Sequence, residues 1–375
     1  MIRSAQNKNN KGKNNKNKKE DDKTMGALKN IVAAAGILAA AGVGETVYFY
    51  NRTMKRGNAK TERTTKMSGT DWQQYFPLME ERKGFVMAQP HSDVYVTSFD
   101  GLRLHATYFP ALAEEQNVKA EESALQAERE SQEEAQHSAM ASDKRETGKP
   151  AKVKKAVICF HGYTGEGLSN HMAIADYFLK HGYAMLLPDA RAHGESEGEY
   201  IGFGCLDRKD ALEWIDWLIR ECGEDVEIML FGTSMGGATV LMTSGLELPV
   251  NVKGIVSDCG FTSPKEVFTH VLNNMYHLPA FPAIQGADLI NRKLAGYGMD
   301  ECNAKYEVQK AQVPILFIHG SADTFVPCSM CDEIYENCRS LKRRLIVEGA
   351  AHAESYYKDM AAYEKELDEF AEEIF

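Results

Sequence analysis

The chain of 375 residues lacks the features that define disulfide-stapled and nucleic-acid-binding proteins. Its eight cysteines do not have the spacing of a disulfide framework, and a chain of this length does not need one. Cys328 and Cys331 form a C-x-x-C with no second pair near them in sequence, so we interpret them as reduced structural cysteines rather than a redox or metal pair. The formal net charge of −11 argues against nucleic acid as a partner.

Two segments lack the apolar side chains that a folded core requires. Residues 1–24 are rich in Lys and Asn, and we predict a disordered basic tail there. Residues 113–149 carry ten acidic and five basic side chains and no Phe, Tyr or Trp. We predict that this second segment is a charged, low-complexity insertion, either a solvated helix or disordered, with a partner-binding segment as the alternative.

One long apolar stretch is present, over residues 25–50, and Glu45 is the only charged residue in its second half. Residues 31–44 are uncharged, and the aromatic residues 48–50 are typical of an interfacial belt. Because about 20 residues cross a bilayer as a helix, we predict a transmembrane helix or signal anchor and a membrane location. A cleaved signal peptide and a soluble amphipathic or buried helix are the alternatives.

The basic residues on either side of this stretch favour a cytoplasmic N-terminus only weakly. Nine Lys or Arg residues lie within 1–30, and six follow the stretch by Lys66. The sequence leaves the membrane side of the remaining chain open, and it leaves the oligomeric state open as well.

Residues 51–90 are predicted to be a linker that leads into one domain over 91–375. Alternating patterns at 93–99 and 103–109 flank an Asp-Gly pair, which predicts a β-hairpin. Beyond it, short apolar runs alternate with segments of helical period, which predicts βαβ units and a mostly parallel sheet. The predicted strands are 156–160, 183–188, 226–231, 252–257, 313–318 and 341–347. The predicted helices are 169–181, 204–222, 234–246, 329–339 and 356–371.

A G-x-S-x-G pattern at 232–236 follows a predicted strand and opens a helix rich in Gly and Ala. A tight strand-to-helix turn strains the backbone of the central Ser234, so the residues two before and two after it must lack bulk, as Gly232 and Gly236 do. The turn also places Ser234 at a helix N-terminus, where free N–H groups favour a developing oxyanion. We predict that Ser234 is a nucleophile; an ordinary Gly-rich turn is the alternative.

A serine nucleophile needs an adjacent base that is itself oriented by a carboxylate. Asp323 follows the strand predicted at 313–318, and His352 follows the last predicted strand. Because chemistry in parallel sheets gathers at the carboxyl ends of the strands, we predict that His352 is the general base and Asp323 its acid. Asp258 also follows a strand and is the alternative acid.

Two backbone donors are expected for an oxyanion, and we assign them to the N–H groups of Tyr163 and Met235. Tyr163 lies in the segment HGYTG, whose His161 we interpret as a structural support of the loop. Residues 261–300 are predicted to form a small helical lid, whose aromatic side chains line an acyl pocket or simply pack within the lid. These residues imply no metal and no organic cofactor.

Taken together, the segments HGYTG, PDARAHGES, GTSMGG, HGSADTFVP and GAAH resemble the α/β-hydrolase superfamily. Within it, the chain is similar to a bacterial branch of membrane-tethered or secreted serine esterases and acylaminoacyl-peptidase-like hydrolases, over residues 90–375. The resemblance implies an α/β fold with an eight-stranded, mostly parallel sheet whose second strand is antiparallel. It also implies that Asp189 and Arg191 brace the active-site loops rather than react.

The expected activity is hydrolysis of a small-molecule carboxylic ester through an acyl-enzyme. One alternative is a serine peptidase or amidase on the same fold, which usually adds a substrate-gating domain that the sequence does not show. The other is a non-enzymatic binding protein with a hydrolase fold, against which the complete set of three residues at strand ends argues.

Overall fold

A computed structural model describes residue 44 and residues 46–56, 69–112 and 155–375. The predicted tail at 1–24, most of the predicted span at 25–50 and the predicted insertion at 113–149 lie outside these residues. Eight strands form one sheet and are, in chain order, β1 Ser92–Thr97, β2 Arg103–Phe109, β3 Lys155–Phe160, β4 Ala184–Pro188, β5 Glu227–Thr233, β6 Val252–Asp258, β7 Ile315–Gly320 and β8 Lys342–Val347.

The strand order across the sheet is β1-β2-β4-β3-β5-β6-β7-β8. Strand β2 runs antiparallel to both of its neighbours, and β3 to β8 are parallel to one another. The carboxyl ends of the six parallel strands therefore meet at one edge of the sheet. This architecture confirms the predicted α/β-hydrolase fold, including the antiparallel second strand that the resemblance implied.

Helices cover both faces of the sheet. In chain order they are α1 over 46–53, α2 Phe76–Ala88, α3 Gly167–Lys180, α4 Asp207–Cys222, α5 Met235–Thr243, α6 Pro264–His270, α7 Ala283–Leu294, α8 Ala304–Glu307, α9 Cys328–Asn337, α10 Ser355–Lys358 and α11 Met360–Ile374. The helix predicted over 356–371 is divided at Asp359, whose side chain caps α11 by accepting a hydrogen bond from the Ala362 N–H.

Each central strand contributes to two cores because consecutive side chains point to opposite faces of the sheet. In β3, Ile158 belongs to the core that includes Trp214 of α4. Its neighbours Val157 and Cys159 belong to the other core, with Phe178 of α3. Burial on both faces explains why these strands form continuous apolar runs in the sequence rather than alternating patterns.

Helix α1, the end of the apolar stretch 25–50, packs against the folded domain. Tyr50 is 1% exposed, and the ring of Phe49 packs edge-on against Phe268 with a centroid distance of 5.5 Å. The prediction of an interfacial belt is therefore wrong for Tyr50, because its ring is covered by protein, whereas Phe49 is half-buried and lines the cavity described below. Among the residues that the structure describes, no helix is long and apolar enough to cross a membrane.

The segment predicted as a lid contains α6, a π-helical turn at Val271–Met275 and α7. Ser263 caps α6 by accepting a hydrogen bond from the Glu266 N–H, and Pro264 occupies the first turn, where its missing N–H costs nothing. A Cβ atom on Gly286 of α7 would lie 2.6 Å from Thr46, so the lid and α1 are in close contact.

Candidate active site

The turn between β5 and α5 holds Ser234 in a conformation that few residues adopt. Its φ is 57° and its ψ is −112°. A Cβ atom on Gly232 would lie 2.1 Å from the carbonyl oxygen of Gly236, so the turn closes only where these positions carry no side chain. The strained backbone presents the Ser234 hydroxyl at the carboxyl edge of the sheet.

The structure brings Ser234, His352 and Asp323 into one hydrogen-bonded line. The Ser234 Oγ lies 2.8 Å from Nε2 of His352, and Nδ1 of His352 lies 2.7 Å from Oδ2 of Asp323. An ionised carboxylate only accepts hydrogen bonds, so Nδ1 carries the imidazole proton and Nε2 is left to accept from the serine hydroxyl. All three residues are buried.

Asp323 is fixed by several donors and stays ionised. Its Oδ1 accepts hydrogen bonds from the backbone N–H groups of Phe325 at 2.9 Å and Val326 at 2.8 Å. Burial alone would raise the pKa of Asp323, but the charges and hydrogen bonds of His352 and His319 outweigh it and hold the pKa well below its usual range. A permanent negative charge therefore faces the imidazole of His352.

Asp258, the alternative acid, has a different partner. Its Oδ2 accepts a hydrogen bond of 3.0 Å from the hydroxyl of Tyr363 in α11. Burial raises the pKa of Asp258 to about 6. The contact with His352 is made by Asp323 alone of the two acids.

Ligand atoms of Cys259, Asp323 and His352 lie within 4.8 Å of one another, a spacing that a metal ion could use. Burial raises the pKa of the Cys259 thiol well above its usual range, so a metal ion would first have to displace the thiol proton. The other two side chains already bond to each other and to Ser234. These residues therefore fit an acid–base pair better than a metal centre.

The HGYTG loop lies against the serine. A Cβ atom on Gly162 would be 3.4 Å from the Cβ of Ser234, which places the backbone of this loop beside the nucleophile. His161 braces the loop, because its Nε2 accepts from the Ala190 N–H at 2.9 Å. On the other side of Ser234, Met235 is the first residue of α5, where a backbone N–H has no partner within the helix.

Asp189 and Arg191 form contacts with the surrounding loops. Asp189 accepts from the Gly167 N–H at 2.8 Å and lies 2.8 Å from Nδ1 of His105. Arg191 forms a buried pair with Asp210, with an Nε to Oδ2 distance of 2.7 Å. Neither side chain lines the cavity beside Ser234.

A cavity of about 740 Å³ opens beside Ser234 and His352, within the range of roughly 300–1,000 Å³ typical of small-molecule sites. Its walls come from α1, from the 72–83 segment, from α3, from the lid and from the loops that hold Asp323 and His352. The large apolar side chains among them are Tyr48, Phe49, Trp72, Phe76, Met79, Tyr163, Met172, Phe268, Val271, Leu272, Tyr276, Leu278, Phe325 and Tyr357.

Several of these wall residues were not predicted from the sequence to lie at the site. Residues 72–83 fall in the predicted linker, and α1 begins in the predicted span and ends in that linker, so neither was expected at the site. Phe325, whose ring lies 4.9 Å from that of His352, stands two residues after Asp323 in the HGSADTFVP segment. Its position beside the acid was the one available signal.

Comparisons with known proteins agree with this fold. A family model of the alpha/beta hydrolase fold matches residues 155–286. The uncharacterised protein YqkD of Bacillus subtilis is 29% identical over 225 residues, which make up 60% of this chain and 73% of YqkD.

Solved structures share the fold at low sequence identity. The esterase Pf2001 of Pyrococcus furiosus superposes with a TM-score of 0.55 at 20% identity, covering 77% of this chain and 92% of that chain. A Bacteroides ovatus protein, named as a candidate dipeptidyl aminopeptidase IV, gives a TM-score of 0.52 at 15% identity over 76% of this chain and 36% of its own. The family model and these solved structures show the α/β-hydrolase fold, and the structural neighbours include an esterase and a candidate peptidase.

Proposed function

We propose that the protein is a serine hydrolase that cleaves carboxylic esters through an acyl-enzyme intermediate. Ser234 is the nucleophile, His352 the general base and Asp323 the acid that orients it. The observation that carries the proposal is the hydrogen-bonded line Ser234–His352–Asp323 at the wall of an apolar cavity.

In acylation, the Ser234 Oγ attacks the ester carbonyl carbon while Nε2 of His352 takes the hydroxyl proton. The carbonyl π electrons move to the oxygen, which is stabilised by the backbone N–H groups of Tyr163 and Met235. When the intermediate collapses, the bond to the alcohol oxygen breaks and His352 donates its proton to that oxygen. Asp323 stabilises the transient imidazolium and keeps the proton on Nδ1.

In deacylation, a water molecule attacks the acyl carbon and gives its proton to Nε2 of His352. The bond between the acyl carbon and the Ser234 Oγ then breaks, and His352 returns the proton to the serine. A carboxylic acid leaves, and the site is restored without a metal ion or organic cofactor in any step.

The cavity favours an ester over a peptide substrate. A peptidase that trims amino termini needs carboxylates to hold a charged amine. Among the described residues that line the cavity, Glu80 is the only carboxylate, and the Lys83 ammonium lies 3.6 Å from it. Most of the remaining wall is apolar, which suits an acyl group.

The proposal is tested with p-nitrophenyl esters of increasing acyl length and with a fluorophosphonate probe. Ser234→Ala should abolish labelling and lower turnover by several orders of magnitude, on the order of 10⁶-fold in kcat. Ser340→Ala, at the opposite edge of the sheet, is the matched control and should label and turn over like the parent chain. Equal turnover by Ser234→Ala would refute the assignment.

We also propose that the segment before α1 holds the protein at a membrane as a single-pass anchor. Its support is the uncharged run 31–44, preceded by nine basic residues. Because residues 46–50 belong to the folded domain, this anchor ends at Glu45 rather than at Tyr50. The full chain should sediment with membranes after carbonate washing, whereas an Ile37→Lys/Leu38→Lys variant should be released; sedimentation of both would contradict the anchor.

A further inference from the structure

Several side chains that line the cavity beside Ser234 are both apolar and exposed. Tyr48 is 66% exposed, Phe76 51%, Tyr276 53% and Leu278 43%, and all four line the cavity. Phe281, 72% exposed, lies three residues after Leu278 in the same loop. We call these five residues the apolar rim. Folded soluble domains rarely leave such a group uncovered unless it contacts a partner.

The position of the rim in the chain indicates what this partner is. Tyr48 follows Gly44 by four residues, which is about 6 Å along a helix. Gly44 ends the 14-residue uncharged run that begins at Ile31. A bilayer that takes up this run comes within about one helical turn of Tyr48, which favours lipid as the phase that covers the rim.

Local charge is compatible with a lipid surface. The protein carries a net charge of −11, which would oppose binding to anionic headgroups as a whole. Beside the rim, however, Arg52 and Lys83 line the cavity, and Lys55 and Arg56 follow α1 within three residues. Lys83 lies 3.6 Å from Glu80 and Lys55 lies 3.2 Å from Glu199, so each of these two lysines is paired with an exposed carboxylate in the free protein. Basic side chains next to an apolar surface favour binding at the headgroup level of a bilayer.

We propose that the apolar rim docks onto a lipid bilayer and that the cavity takes its substrate, a long-chain acyl ester, directly from the lipid layer. The substrate class rests on the proposed serine hydrolase function, whereas the docking does not. A cavity of about 740 Å³ with aromatic and aliphatic walls accommodates an acyl chain, and four of the five rim residues line it. Docking replaces water by lipid at the mouth, so an acyl chain enters without crossing water.

Docking is tested in the full chain carrying Ser234→Ala, with a tryptophan reporter at the rim. Phe281→Trp is compared with Leu341→Trp, because Leu341 is 76% exposed and precedes β8, at the sheet edge opposite Ser234. Vesicles of brominated phosphatidylcholine with phosphatidylglycerol quench tryptophan at the acyl level. The parent chain with its three native tryptophans sets the baseline of quenching. We expect quenching above this baseline for Phe281→Trp and no increase over it for Leu341→Trp.

No added quenching at Phe281, or equal quenching at both sites, would overturn the docking. If a second copy of the chain covers the rim instead, Phe281→Trp would show no added quenching, and analytical ultracentrifugation would show a dimer.

The substrate class is tested with Ser234 intact, using a long-chain ester embedded in vesicles and a soluble short-chain ester. Phe281→Glu places a charge in the rim and should lower the ratio of vesicle to soluble turnover by at least about tenfold. Leu341→Glu should leave the ratio within about twofold, because surface substitutions away from special features have small effects. An unchanged ratio for Phe281→Glu would overturn the lipid substrate. If the parent chain hydrolyses neither ester, the hydrolase proposal fails with the substrate class, and the quenching alone decides the docking.

Discussion

Gly236 lies so close to Phe160 that a Cβ atom on it would sit 1.8 Å from the Phe160 carbonyl oxygen. Phe160 ends β3 and Gly236 is the second residue of α5, so this contact joins two elements on either side of the HGYTG loop and Ser234. The nucleophile and the loop that carries Tyr163 are therefore held together by backbone against backbone, with no room for a methyl group.

Gly236→Ala should disrupt this contact. Neither the β3 carbonyl nor the α5 backbone can move independently of the sheet, so we expect a loss of at least about 1–3 kcal/mol in the free energy of unfolding and a fall in turnover. Gly84→Ala is the matched control, because nothing lies within 4 Å of a Cβ there and Ala favours the interior of α2. Thermal melts of both variants check the prediction; a Gly236→Ala protein as stable as the parent would contradict it.

Asp323→Asn should lower kcat by on the order of 10⁴-fold, because an amide can donate to Nδ1 of His352 and favour the wrong tautomer. Asp258→Asn should cost much less, since Asp258 bonds to Tyr363 rather than to His352. The kcat values of the two variants, measured with one p-nitrophenyl ester, show which of the two acids orients His352. Similar losses in both variants would mean that the two acids share the role.

Asp323 should also make stability depend on pH. The pKa of Asp323 in the folded state lies below its usual value. The ionised carboxylate therefore contributes fully to the free energy of unfolding at neutral pH, and this contribution is lost as the pH falls through the folded-state pKa. The difference in free energy of unfolding between the parent and Asp323→Asn should therefore be largest near pH 7 and shrink toward about pH 3 and below. Urea titrations across this range measure it.

Phe49→Ala should weaken binding of long acyl esters. The Phe49 ring forms part of the cavity wall and packs edge-on against Phe268. Removing it widens the wall, and we expect KM for a long-chain ester to rise by about tenfold, with little change for a short-chain ester. Val47→Ala is the control, because Val47 lies in the same helix, is 43% exposed and does not line the cavity.

His105→Gln should destabilise the fold most strongly in mildly acidic solution. Burial would lower the pKa of His105, but hydrogen bonds with Asp189 and Asp93 outweigh it and raise the pKa to about 9. Protonated His105 therefore stabilises the fold in full below pH 6.5, the usual pKa of the side chain in an unfolded chain. This stabilisation is lost as the pH rises through about 9. The difference in free energy of unfolding between the parent and His105→Gln should shrink as the pH rises from 6.5 to about 9. Urea unfolding at several pH values measures this difference. A stability difference that stays constant between pH 6.5 and about 9 would contradict the raised pKa of His105.

Local patterns were enough to predict the sheet and the set of three polar residues. The β1–β2 hairpin, the apolar strands and the positions of Ser234, Asp323 and His352 after strands each depend on a few neighbouring residues. In a parallel sheet the carboxyl ends of the strands share one edge, so knowing that three residues follow three strands already predicts that they lie close together.

The choice between Asp258 and Asp323 needed the tertiary structure. Both acids follow strands, and chain order alone does not say which one reaches His352. The hydroxyl of Tyr363, 105 residues beyond Asp258 in the chain, binds Asp258, while two backbone amides orient Asp323 toward the imidazole. Such long-range partners leave no local pattern in the sequence.

The sequence by itself determined the fold class, the strained turn at Ser234 and the existence of an apolar stretch before the domain. Only the tertiary structure decided where that stretch meets the protein, because an apolar run is equally satisfied by lipid and by a protein core. Tyr50 is buried, with its hydroxyl 3.5 Å from Oδ1 of Asn291 in the lid, whereas Tyr48 is exposed and lines the cavity, although the two differ by two positions and share their chemistry. Whether a side chain of α1 is buried depends on what packs against that face of the helix. The residues that pack there lie far along the chain.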